Sequence, residues 1–106
     1  MDVAAWRTWW KRVGENELRA VVMESWDPIG VSFAPEAHDE YDAYLGRIAV
    51  RLRDGISDAE LARFLTDLAT GFGLGPRPEA DHEAARAIRR WYDGSTSRYS
   101  DIAKPS

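Results

Sequence analysis

Apolar residues recur along most of this chain at helical rather than strand spacing. Over residues 3–13, Val3, Trp6, Trp9, Trp10 and Val13 fall within about 120° of one face at roughly 100° per residue. Arg7, Thr8, Lys11 and Arg12 take the other side, and Asp2 precedes them as an N-cap. Beyond Gly14 the stripe restarts with Leu18, Val21, Val22 and Trp26. On one uninterrupted helix the second stripe would be rotated by roughly a third of a turn. A break or kink is therefore expected near Gly14-Glu15-Asn16, with Asn16 as a new cap.

Asp27-Pro28-Ile29-Gly30 fits a type I turn: an aspartate acceptor, a proline with fixed φ, a glycine at the fourth position. Alternation at Ile29, Val31 and Phe33 predicts a short extended stretch over the core. A helix then runs from about Glu36 or Asp39 to Arg53, burying Tyr41, Tyr44, Leu45, Ile48 and Leu52, and Asp54-Gly55 ends it. Ser57-Asp58-Ala59-Glu60 is a capping box, which opens a helix with Leu61, Phe64, Leu65, Leu68 and Phe72 on one face. Gly71, Gly73, Gly75 and Pro76 stop it. The last helix runs from about Glu79 to Asp93 over Ala80, Ala84, Ala87, Ile88 and Trp91, and Gly94 closes it. The expectation is an all-α bundle of four to five short helices with a Pro/Gly-turn loop after the second. Residues 1–94 form the domain, and residues 95–106 a flexible polar tail.

A length of 106 residues bounds this to one domain, and five Trp supply a large apolar payload. The absence of cysteine excludes disulfides and thiolate metal sites and fits a reducing cytoplasm. No apolar run reaches membrane-spanning length, and Met1-Asp2-Val3 does not begin a secretion signal. A net charge of -4 disfavours general nucleic-acid binding. Twelve Arg against two Lys, with abundant Ala, suggests a high-GC bacterial genome.

Charge is distributed unevenly. From Glu24 to Asp42 there are six acids (Glu24, Asp27, Glu36, Asp39, Glu40, Asp42) and no Lys or Arg. Asp39 and Asp42 fall on the helix face opposite Tyr41, Leu45, Ile48 and Leu52. They could meet a basic protein partner, or with Asp27 or Glu36 hold a hard cation in a metal-dependent hydrolase. The ordinary alternative is charge placed at the positive end of a helix, which stabilises it by about 0.3–1 kcal/mol per carboxylate.

Catalytic equipment is sparse. His38-Asp39 suggests a metal phosphohydrolase doublet, but His82 is the only other histidine, and His82-Glu83-Ala84-Ala85-Arg86 has Arg where a zinc-protease helix needs its second His. Gly71-Phe72-Gly73-Leu74-Gly75 follows a helix rather than a strand and reads as a stop, not a phosphate cradle. Arg86, Arg89 and Arg90 share the polar face of the last helix. That face could grip an acidic partner, a phosphate or RNA, or simply be solvated, with Glu83–Arg86 and Arg89–Asp93 spaced to pair. The tryptophan stripe reads as core, with homodimer docking through Trp6, Trp9 and Trp10 as the alternative and a membrane-surface role behind it.

Trp26-Asp27-Pro28-Ile29-Gly30-Val31, Asp39-Glu40-Tyr41-Asp42-Ala43-Tyr44 and the capped helix ending at Phe72-Gly73-Leu74 resemble the YugE-like group of small bacterial helical domains. The resemblance spans roughly Leu18 to Leu74 and implies a small α-helical domain, with no activity, cofactor or catalytic residue attached. By analogy, small acidic proteins of this kind occur as immunity factors beside toxins. The resulting expectation is a non-catalytic cytoplasmic protein-binding module, immunity-like or antitoxin-like. It would take no cofactor and would occlude a protein partner, such as a basic toxin domain, through Asp27, Glu36, Asp39, Glu40 and Asp42.

Overall fold

The computed structural model describes residues 2–26, 38–71 and 77–103, with side chains described throughout except at 38–42 and 101–103. The described chain is all-α. Helix α1 (Val3–Trp9) passes through a π-helical turn (Trp10–Gly14) into α2 (Glu15–Ser25). Helices α3 (His38–Arg53), α4 (Asp58–Gly71) and α5 (Pro78–Ala103) follow. The molecule is elongated, 49 × 29 × 19 Å, because α5 runs 26 residues without interruption.

Local sequence sets most of the helix ends. The Asp2 carboxylate accepts from the Ala5 N–H at 2.7 Å, capping α1. Gly55 adopts φ +84 after α3; its N–H donates to the Leu52 carbonyl and that of Ile56 to Arg51, both at 3.1 Å. That pattern is a Schellman closure, and its left-handed residue favours glycine. Ser57 Oγ then accepts from the Glu60 N–H at 3.1 Å to open α4, as the capping box predicts. Pro78 stands at the first position of α5, where no N–H is needed.

Of the break or kink expected near Gly14, the break does not occur; a π-helical turn stands there. The helix absorbs the phase jump instead: the Glu15 N–H donates to the Trp10 carbonyl, five residues back. One extra residue in a turn rotates everything after it by about 100°, close to the third of a turn separating the two stripes. Trp6, Trp9, Gly14, Leu18, Val22 and Trp26 thus form one continuous buried line. Asn16 is not a cap; its side-chain oxygen accepts from Arg19 within α2.

Helix α5 does not close at Gly94. It continues to Ala103, and Ser95, expected in a polar tail, is 2% exposed. A glycine lowers helix propensity by about 1 kcal/mol, which is too little to end a helix whose next turn is anchored. Thr96 Oγ1 also bonds back to the Tyr92 carbonyl at 2.8 Å.

The core is one cluster. Leu18 and Val22 of α2, Leu45, Ile48, Ala49 and Leu52 of α3, Leu61, Leu65 and Leu68 of α4, and Ala84, Ala85 and Ile88 of α5 all turn inward. Small Ala62 and Ala69 on α4 face the alanines of α5, so these two helices pack along their lengths. The Asp27–Gly30 turn, the stretch through Phe33 and the 72–76 segment lie outside the described residues.

Gly14 is required by packing rather than by backbone conformation. A Cβ there would lie 2.8 Å and 2.9 Å from two ring carbons of Trp9, whose indole is fully buried. Gly14→Ala should therefore destabilise the fold by about 1–3 kcal/mol through overpacking. This would override the roughly 1 kcal/mol helix-propensity gain that alanine normally brings. Urea denaturation measures the sign, and a more stable variant would refute the packing account.

Candidate functional site

Burying a tryptophan leaves an indole N–H that needs an acceptor. Trp6 Nε1 donates to the Tyr92 hydroxyl at 2.9 Å, and Trp9 Nε1 to Ser95 Oγ at 3.0 Å. Ser95 Oγ donates onward to Glu17 Oε1 at 2.7 Å, and Trp91 Nε1 donates to the same oxygen at 3.0 Å. At the other end of α2, Trp26 Nε1 donates to Asp81 Oδ1 at 2.9 Å. The second oxygen of Asp81 accepts from Thr66 Oγ1 at 2.7 Å. Arg77 adds a bond to the Trp26 carbonyl at 3.3 Å. These groups lash the α1–α2 rod to α5 and α4, so they are structural rather than free for chemistry.

The rings pack as well as bond. Trp9 sits 5.7 Å from Trp6 and from Trp91, and meets Tyr92 edge-on at 5.6 Å. Burial raises the Tyr92 phenol above its ordinary pKa of 10.0; the bond from Trp6 pulls it back in part.

The surface feature with recognition geometry is a groove of about 500 Å³ between this aromatic cluster and α3. Trp6 and Trp10 line one side, stacked nearly parallel with centroids 6.0 Å apart. Ala43, Gly46, Arg47, Val50, Arg51 and Asp54 of α3 line the other. Val50, 40% exposed, adds apolar surface to that side. Arg51 lies over the Phe64 ring at 4.1 Å and Arg53 over Trp6 at 5.0 Å, which fixes guanidinium groups around the groove.

Of the expected recognition residues, Asp27 and Glu36 lie outside the described residues. The backbone of Asp39, Glu40 and Asp42 is in the opening turns of α3, and their side chains are not described. Helical spacing places positions 39 and 42 four residues before Ala43 and Gly46, on the line that leads into the groove. Among the described residues, no group of three or more metal-ligating side chains comes together. No helix among them is long and apolar enough to cross a membrane.

Two other expectations change. Trp6 and Trp9 are buried in the protein's own core, 7% and 0% exposed, so a dimer cannot dock through all three N-terminal indoles. Only the half-buried Trp10 and an edge of Trp6 reach the groove. Arg89 leaves the supposed cationic face: it binds the Ile56 carbonyl and Asp58 Oδ1, fastening the α3–α4 turn to α5 instead of pairing along its own helix with Asp93. Arg86 borders a shallow hollow with Glu79, His82 and Glu83.

Asp81, Glu17, Ser95 and Tyr92 were missed because the α1–α2 or α5 groups they bond to across the rod lie 55 to 86 positions away in sequence. Charge at Asp81 reads as a polar face; only a helical wheel placing it beside Ala84, Ala85 and Ile88 would have hinted at burial.

No family model, no curated protein and no solved structure matches the chain.

Two tests follow from this network. Asp81→Ala removes the acceptor of the buried Trp26 indole N–H, while the Thr66 hydroxyl can turn to the Ala62 carbonyl, and should cost about 1–3 kcal/mol in urea denaturation. Asp81→Asn should cost far less, because its amide can accept from Trp26 and donate to Thr66, whose proton then serves the Ala62 carbonyl 3.1 Å away. Equal losses would show that charge, not hydrogen bonding, is what matters there. A phenol with a raised folded-state pKa holds its proton more tightly in the folded protein than in the unfolded chain. The Tyr92 contribution is thus fully present below pH 10.0 and is lost as pH rises through the higher folded value. Absorbance titration should resolve a tyrosine ionising above pH 10.0, and its absence in Tyr92→Phe identifies it.

Proposed function

We propose that the protein is a non-catalytic protein-binding module in which α3 is the recognition helix. The observation that carries this reading is the groove, where α3 sets exposed Val50 and Ala43 and half-buried Gly46 beside the Trp10 indole. An apolar floor with charged edges is the anatomy of a contact patch. The partner it suits offers an apolar side chain for the groove and basic groups for the Asp39-Glu40-Tyr41-Asp42 end.

The mechanism is occlusion of the partner's surface. Charge complementarity at the acidic end speeds encounter and sets specificity, while the groove contributes contact area. An immunity-like or antitoxin-like factor covering a basic toxin domain is the form of this role that fits the net charge of -4. The arginine-over-lysine bias and lack of cysteine are consistent with a bacterial cytoplasm.

Affinity capture from the native host tests the reading. The wild-type chain should recover a partner that Asp39→Lys/Asp42→Lys and Val50→Glu each recover at least about tenfold less well, a difference of roughly 1.4 kcal/mol. Equal recovery by all three proteins would overturn it.

A further inference from the structure

We infer that the groove takes an acidic amphipathic segment of a protein partner, with an apolar side chain seated between Trp10 and Val50 and a carboxylate held by Arg47 and Arg51. The inference rests on the reading of α3 as a recognition helix and names the chemistry of the segment it receives.

The first observation is that two arginines share the face of α3 that lines the groove. At roughly 100° per residue, Ala43, Arg47, Val50 and Asp54 fall within about 60° of one another, and Arg51 lies about 40° beyond Arg47. All five line the groove. Arg47 and Arg51 stand one turn apart, about 6 Å along the axis, and form a basic row beside exposed Val50.

The second observation is how these arginines are held. The Arg47 guanidinium lies 5.6 Å from the Tyr44 ring centre, and that of Arg51 lies 4.1 Å from the centre of Phe64. Stacking engages the face of a guanidinium and leaves the N–H donors round its edge unused. Among the described residues no ion pair joins either arginine to an acid. Asp54, the acid among the lining residues, stands 3.7 Å from Arg53 instead. Arg77 and Arg89, by contrast, are committed inside the fold, to the Trp26 carbonyl and to the Ile56 carbonyl and Asp58. Two planar forks held at the rim of an apolar hollow match carboxylates carried on an apolar segment.

Charge elsewhere on the helix favours a peptide over a broader anion. Acids at 39, 40 and 42 precede Arg47 by about one to two turns, and the net charge is -4. A lipid surface or a nucleic acid spreads negative charge along the whole of α3 and is repelled at its acidic end. A peptide segment sets one or two carboxylates against the arginines alone and leaves the acidic end to basic groups of the same partner. Exposed pairs of this kind add up to about fivefold each in affinity, so the arginines act on specificity more than on strength.

Selection of a random peptide-display library on the immobilised full chain tests this. Enriched peptides should carry an aliphatic or aromatic side chain with Asp or Glu within about one helical turn of it. Synthetic copies with those carboxylates changed to amides should bind the wild-type chain about tenfold more weakly. Arg47→Gln/Arg51→Gln should bind both versions alike, and Arg47→Lys/Arg51→Lys, which keeps the charge, should restore part of the difference. No enrichment, enrichment without acid preference, or a preference that Arg47→Gln/Arg51→Gln retains overturns the inference. Phosphatidylglycerol vesicles held by the wild type and released by that variant, with no acidic peptide enriched, overturn it in favour of a lipid surface. Apolar peptides without acid preference that enrich on the wild type but not on Val50→Glu overturn it and leave the recognition reading standing. If Val50→Glu enriches the same peptides as the wild type, both fall.

Discussion

An indole buried in a small helical core must find an acceptor for its N–H, and this fold is organised around that requirement. Trp6, Trp9, Trp26 and Trp91 each donate to a group on another helix. Leaving a buried donor unpaired costs about 1–3 kcal/mol. Four such losses would rival the whole stability of a domain this size, about 5–15 kcal/mol. Buried Ser95 and Asp81 are therefore as much part of the core as the leucines, with half-buried Tyr92 and Glu17 at its edge. Their positions fix how the α1–α2 rod lies against α5: Tyr92 and Ser95 hold its N-terminal end, and Asp81 holds its C-terminal end.

The π turn follows from the same requirement. Trp6 and Trp9 must face α5 at one end of the rod, and Leu18, Val22 and Trp26 must face the core at the other. A regular α-helix cannot present both groups on one side, and the extra residue between Trp10 and Gly14 reconciles them. Trp9 then lies across Gly14, which explains why that position has no side chain.

Much of the architecture was legible because its causes are local. The Asp2 cap, the Ser57–Glu60 box, the Gly55 closure and the apolar stripes of α3 and α4 each lie within a few residues, and periodic reading finds them. The phase jump at Gly14 was legible too, but its resolution was not: stripe geometry cannot distinguish a broken helix from one that absorbs a residue. Gly94 misled for a related reason, since Ser95 is held by Trp9 and Glu17, 86 and 78 positions away. The groove was invisible to the sequence because it needs α1 and α3 side by side. The acidic start of α3 and the helix it opens were both visible, and the structure adds the groove that helix borders.

The order of charge along α3 has a local cause. Acids at a helix N-terminus and arginines at its C-terminus oppose the backbone dipole, so the order is favourable in an isolated monomer. Charge order by itself therefore identifies no partner. The dipole acts on which end of the helix the arginines occupy and is indifferent to the face they take, so the placement of Arg47 and Arg51 along the groove is a separate feature of the sequence.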